Sequence, residues 1–221
     1  MNDTEHLRKK QVANEDGSDA NVLFVLTGFK AFQTVQHNPT EAIANGMKQH
    51  LTKTQSRLVS RIETMAIDVS KKARDALNEL CQNPNVLKAE RVVFLHMGLD
   101  HDTRSFKIEN QAYNWLCDPE RQLEEVIVHD MEQTDMLETS FDTEALKEKM
   151  KDSFDTIVSH DAQRYYCNFI YFCSLYELAR ESDKYSSLFL HVPTFGTAEE
   201  TCQMEYVAKL METIDDEMNK E

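Results

Sequence analysis

NVLFVLTGF, residues 21–29 (Asn21–Phe29), is an unbroken apolar run closed by a glycine and a phenylalanine. A strand with one wet face would alternate polar and apolar residues. This one does not, so it reads as a strand covered on both faces. RVVFLHMG (Arg91–Gly98) repeats the pattern, SSLFLHVP (Ser186–Pro193) is a third strand, and shorter strands are expected at Leu58–Ile67 and Asp155–Ser159. Helical spacing fills the intervals: PTEAIANGMKQHL (Pro39–Leu51), which opens with the helix-starting Pro-Thr-Glu, then Ser70–Cys81, Thr143–Lys151, Cys167–Ala179 and Glu199–Met218. Strands alternating with helices predict the α/β class: a three-layer α/β/α sandwich around a mostly parallel, twisted sheet. Residues 99–142 show no clear period and are expected to hold long loops or short antiparallel strands. No repeat or linker divides the chain, so 21–221 reads as one domain. Residues 1–20, polar and aperiodic, read as a disordered acidic tail.

Composition removes several classes of function. The formal net charge is -15 with no dense Lys/Arg patch, so a phosphate backbone would be repelled and nucleic acid is not an expected partner. No stretch approaches the roughly 18 apolar residues of a membrane span, and the first residues contain no apolar run of the kind a secretory signal needs. Cysteines stand at 81, 117, 167, 173 and 202, an odd count without a CxxC pair or a zinc spacing. Free thiols in a reduced, cytoplasmic compartment are the simplest expectation. Oligomeric state is not legible.

In parallel sheets the reactive loops gather at the carboxyl ends of the strands. Three candidates lie near such ends: Cys167 after the strand closing at Ser159, His191 at the end of LFLHVP, and Glu109 one loop beyond VVFLHMG. A thiol, an imidazole and a carboxylate are the set required for acyl transfer through a thioester. Each also has an ordinary reading: a packed cysteine, a hydrogen-bonded core histidine and a solvated carboxylate. HMGLDHD (His96–Asp102) mixes metal-ligating residue types, but a strand-end histidine followed by a polar loop explains it better, and no metal is expected. The aromatic run Phe169–Tyr176 reads as core.

SHDAQRYYCNFIYFCSLYE (Ser159–Glu177) resembles the nucleophile segment of the pyroglutamyl peptidase I family of cysteine peptidases, which carries Ser-x-x-Ala-Gly-x-[Phe/Tyr]-x-Cys-[Asn/Asp]. FLHVP is similar to that family's histidine motif. LTGFKAFQTVQHNPTEA resembles its amino-terminal Thr-Gly-Phe-x-Pro-Phe-Gly…Asn-Pro-Ser signature. Eleven residues lead from Gly98 to Glu109, the family's spacing from glycine to glutamate, and ENQAYN parallels the Glu-x-x-Ala-x-Asn that follows. The motifs stand in family order between about Val22 and Met211.

The resemblance implies removal of an amino-terminal pyroglutamyl residue from peptides, without metal or organic cofactor. Cys167 would be the nucleophile, His191 the general base and acid, and Glu109 the residue that orients His191. Phe29 and Phe32 match the family's pocket phenylalanines, Tyr165 and Tyr166 its wall before the nucleophile, and Phe106 an apolar pocket position. The nucleophile would open its helix, where the helix dipole and a nearby imidazolium favour thiolate. The sequence departs from the pattern at Ala31 and Gln33, in place of proline and glycine, and at Gln163, where glycine is usual and a side chain is expected to resist positive φ. The family's arginine is out of register, with Arg104 one position away. These changes motivate the alternative of a weakened or inactive member that binds blocked peptides or a protein partner.

Overall fold

The computed structural model describes residues 22–33, 35–180 and 182–220; the tail expected at 1–20 lies outside the described residues. The chain begins with β1 (Val22–Phe29), α1 (Pro39–Lys53), β2 (Ile62–Ile67), α2 (Lys72–Cys81), the short α3 (Pro84–Lys88) and β3 (Arg91–Leu99). Five short strands follow in the region without period: β4 (Phe106–Glu109), β5 (Gln111–Tyr113), β6 (Leu116–Asp118), β7 (Leu123–Glu125) and β8 (Met136–Glu138). Then come α4 (Thr143–Met150), β9 (Thr156–Ser159), α5 (Tyr166–Ser174), β10 (Tyr185–Val192) and α6 (Glu200–Met218).

The central sheet has the order β2-β1-β3-β10-β4-β9. Its first four strands are parallel. β4 pairs antiparallel to β10, and β9 follows β4, so both run against the rest. The loop 100–105 explains the reversal. It carries the chain from β3 past the end of β10 and is too short for the crossover that a parallel strand requires.

Every residue of β1 is buried, as its unbroken apolar run demands. Alternate residues feed two cores. Val22, Phe24 and Leu26 face α1, α4 and α6 with Ile43, Leu146 and Leu210. Leu23, Val25 and Phe29 face α2, α3 and α5 with Leu77, Val86 and Phe169. The result is the expected three-layer sandwich. Gly28 lies where α1 crosses β1: a Cβ there would come within 1.9 Å of the Thr40 carbonyl oxygen. Asn38 caps α1 by accepting from the Thr40 amide at 3.1 Å, with Pro39 in the first turn, where its missing N–H does no harm.

Two boundaries differ from expectation. Residues 58–61 form a turn before β2, closed by the Arg61 amide donating to the Leu58 carbonyl at 2.8 Å. Arg61 is drawn aside by the buried Asp215 of α6 at 2.7 and 2.9 Å. The aromatic helix α5 passes at Leu175 into a π-helical turn that ends at Ala179. Among the described residues, no helix is long and apolar enough to cross a membrane.

Candidate active site

β3, β10 and β4 lie side by side, and period-two alternation puts Gly98, His191 and Glu109 on the face covered by α5. In register, His191 stands beside Gly98 on one side and Lys107 on the other. Glu109, two residues along β4 from Lys107, reaches diagonally: its Oε1 lies 2.7 Å from His191 Nδ1, and both side chains are buried. The Tyr171 hydroxyl donates to the Glu109 carbonyl at 2.9 Å and ties that strand to α5.

Cys167 occupies the first turn of α5, partly exposed, with its sulfur directly over Gly98. A Cβ at Gly98 would lie 2.6 Å from Sγ and 2.8 Å from Phe189 Cζ. Only glycine leaves the thiol room to reach His191. Burial by itself would lower the His191 pKa, but the hydrogen bond and charge at Cys167, together with the Glu109 carboxylate, raise it to about 10. No side chain caps the first turn of α5, so its amide dipoles face the sulfur region uncompensated.

Cys167 does not reach this place through the end of a parallel strand. β9 runs against the main sheet, and residues 160–165 bring the chain back across it to the start of α5. Gln163 in that segment adopts φ 63, so the expected resistance to positive φ is overcome. Gln33 does the same with φ 48.

Phe29 ends β1 on the α5 side, its amide and carbonyl bound by the Thr40 hydroxyl at 2.9 and 3.2 Å. Phe32, half-buried, forms an isolated bridge with Val35. The Tyr165 ring packs edge-on against that of Tyr166 at 4.7 Å. Tyr165 accepts from the Gln33 amide at 3.3 Å, and Tyr166 donates to Asp118 at 3.0 Å. Phe106 is not brought to this cluster. It faces the opposite layer, stacked on Tyr206 at 3.7 Å between centroids. It stands three residues before Glu109, and in a strand an odd separation means the other face.

The residues of HMGLDHD, read as a strand end and a polar loop, do not converge. His96 is buried with Nδ1 2.7 Å from the Thr27 hydroxyl, whereas His101 and Asp102 are exposed. Among the described residues, no group of three or more His, Cys, Asp or Glu is placed to hold a metal.

Two further features of the site were not read from the sequence. Asp100, at the end of β3, pairs with Lys107 at 2.5 Å beside His191. Burial opposes ionisation of Asp100, but Lys107 and the Asp102 amide hold its carboxyl below the usual range. Asn168, next to the thiol, accepts from the Tyr113 amide at 2.8 Å and donates to the Tyr113 and Trp115 carbonyls at 2.9 and 2.8 Å. Its place after the cysteine in the motif was the available signal.

Residues 22–204 match the profile of the pyroglutamyl peptidase family. This chain belongs to the pyroglutamyl peptidase family. Its fold is similar to that of the pyrrolidone carboxyl peptidase from Thermococcus litoralis, with TM-score 0.75 and 19% identity over 90% of this chain and 96% of that one. The pyrrolidone carboxyl peptidase of Pyrococcus furiosus aligns with TM-score 0.73 and 20% identity, covering 89% of this chain and 99% of that one. The enzyme from Thermus thermophilus aligns with TM-score 0.66 and 20% identity, covering 86% and 99%. No curated sequence relative matches. Within the pyroglutamyl peptidase family, this member holds two glutamines in left-handed backbone where its pattern expects glycine.

Proposed function

We propose that the chain is a cysteine omega-peptidase that hydrolyses the bond after an amino-terminal pyroglutamyl residue of peptides. The observation that carries this reading is the array Glu109–His191–Cys167, with Glu109 on His191 Nδ1 and the imidazole held protonated beside the Cys167 sulfur on the α5 side of the sheet. The Cys167 thiolate attacks the pyroglutamyl carbonyl carbon, and the carbonyl electron pair moves to oxygen. Uncapped amides at the start of α5 stabilise that oxyanion. As the C–N bond breaks, the His191 imidazolium gives its proton to the departing amine, which leaves a thioester on Cys167. Neutral His191 then takes a proton from water, and the hydroxide adds to the thioester. The C–S bond breaks, free pyroglutamate departs, and the thiolate–imidazolium pair returns.

Glu109 acts through His191, fixing its tautomer and balancing its charge. A lactam ring carries no charge, so flat apolar walls suit it. Phe29, Phe32 and Tyr165 are the walls we assign, with Tyr166 as a buttress anchored through Asp118. Phe106 has no part in this pocket. A pyroglutamyl-aminocoumarin amide tests the reading: the protein releases the fluorophore, and Cys167→Ala does not. Turnover that survives Cys167→Ala would overturn it.

A further inference from the structure

We propose that Arg164 is a positioning residue for Cys167: it locks the left-handed backbone at Gln163, so that the turn preceding α5 delivers the thiol to His191. The inference rests on the peptidase reading for its kinetic consequence, though its geometry stands independently.

The turn carries an internal conflict. Gln163 has φ 63, a conformation that crowds the Cβ of any residue other than glycine. Such a backbone persists only when its surroundings over-determine it. Here both polar groups of Gln163 are held. Its amide donates to Asp161 Oδ1 at 2.9 Å, and its carbonyl accepts from Arg164 Nη1 at 2.6 Å. The same Nη1 lies 2.5 Å from Asp161 Oδ1, so the guanidinium and the carboxylate close a ring around that one residue.

Arg164 is in turn fixed from outside. Its guanidinium carbon sits 3.7 Å from the centroid of Tyr113 and 5.6 Å from that of Trp115. Its carbonyl accepts from the Cys117 amide at 2.6 Å. Asn168 grips the same stretch through Tyr113 and Trp115. Cys167 is therefore spanned: three residues before it and one residue after it, the chain is bolted to residues 113–117. Arg164 has no contact with His191 or Glu109 among its described partners, so its influence on the reaction passes through the position of the thiol. Lysine could not replace it, because a point charge neither stacks on Tyr113 nor forks between a carbonyl and a carboxylate.

The test is a rescue. Arg164→Ala should lower kcat by roughly 10- to 100-fold with KM near wild type, the scale of a displaced reacting group. Gln163→Gly alone should stay near wild type. Gln163→Gly combined with Arg164→Ala should recover most of the loss, because glycine holds positive φ unaided. Asp161→Asn, at an exposed side chain, should reproduce the effect in smaller measure and covers the case in which Arg164→Ala does not fold. The iodoacetamide alkylation rate of Cys167, followed by mass spectrometry well below the unfolding temperature, should track kcat across the series. That readout needs no substrate, so it separates failure of this inference from failure of the peptidase assignment. A double variant as slow as Arg164→Ala, or an Arg164→Ala variant with wild-type kcat and alkylation, would refute the positioning role.

Discussion

Two histidines are buried on the same face of neighbouring strands, His96 on β3 and His191 on β10. Each has Nδ1 2.7 Å from one oxygen, the Thr27 hydroxyl for His96 and the Glu109 carboxylate for His191. Burial drives His96 down to about 3, whereas Cys167 and Glu109 override burial and bring His191 up to about 10. Depth alone therefore does not set the protonation state of an imidazole in this sheet. The charge of its partners does. One position is core; the other, in the proposed mechanism, gives and takes a proton.

The sharpest way to break this contrast is to give His191 the surroundings of His96. Glu109→Ala should lower kcat by roughly 10³- to 10⁴-fold while KM changes little, because a positioned imidazole acts on the chemical step. The imidazole pKa, followed by NMR, should fall in the same variant. Glu109→Gln keeps a hydrogen bond and should retain more activity. Wild-type kcat in either variant would remove Glu109 from the array.

Gly98→Ala attacks the other partner. Its Cβ would meet the sulfur at 2.6 Å, so the thiol must move away from His191. A drop in kcat of about 10²-fold is the scale for a misplacement of that size. The alkylation rate of Cys167 should fall with it, and an unchanged rate would show that the sulfur has another resting place.

Thr27→Val sharpens the comparison from the His96 side. It strands a buried ring nitrogen and should lower unfolding free energy by about 1–3 kcal/mol in urea denaturation. Thr27 and His96 take no part in the array, so kcat should stay near wild type. A large loss of kcat would link the two histidines.

The pH dependence of stability reads the same two protonation states, with effects opposite in sign. His96 stays neutral in the fold, so its contribution is present above its ordinary value of 6.5 and is lost as pH falls from 6.5 toward 3. His191 stays protonated, so its contribution is present below 6.5 and is lost as pH rises from 6.5 toward 10. Urea titrations of His96→Gln and His191→Gln against wild type should each flatten one of these limbs. Parallel profiles for all three proteins would contradict the assigned states.

The same contrast shows what a sequence can reveal. β1, β3 and β10 were legible because strands buried on both faces leave unbroken apolar runs. β4 was not. Its four residues carry no such run, and its direction is dictated by a short loop passing β10. Glu109 could still be located by its spacing from Gly98, but which face each residue of β4 presents could not, and Phe106 fell on the wrong side. His96 and His191 both stand in apolar runs of the sequence, FLHMG and FLHVP, and apart from the resemblance of FLHVP to the family's histidine motif nothing local distinguishes them. Their partners come from other strands, 69 and 82 residues away. Arg164 was unreadable for a similar reason, since the rings that hold it, Tyr113 and Trp115, lie 51 and 49 residues earlier in the chain.

The position of β10 has a consequence for the newly made chain. It is the last strand to be synthesised, yet it lies in the middle of the sheet, between β3 and β4. Until it inserts, Cys167 has already emerged but has no imidazole beside it, and Glu109 has nothing to orient. A ribosome-bound or stalled fragment that ends before β10 carries a thiol of unassisted reactivity. In the proposed mechanism, peptidase chemistry therefore begins only once β10 has closed the sheet.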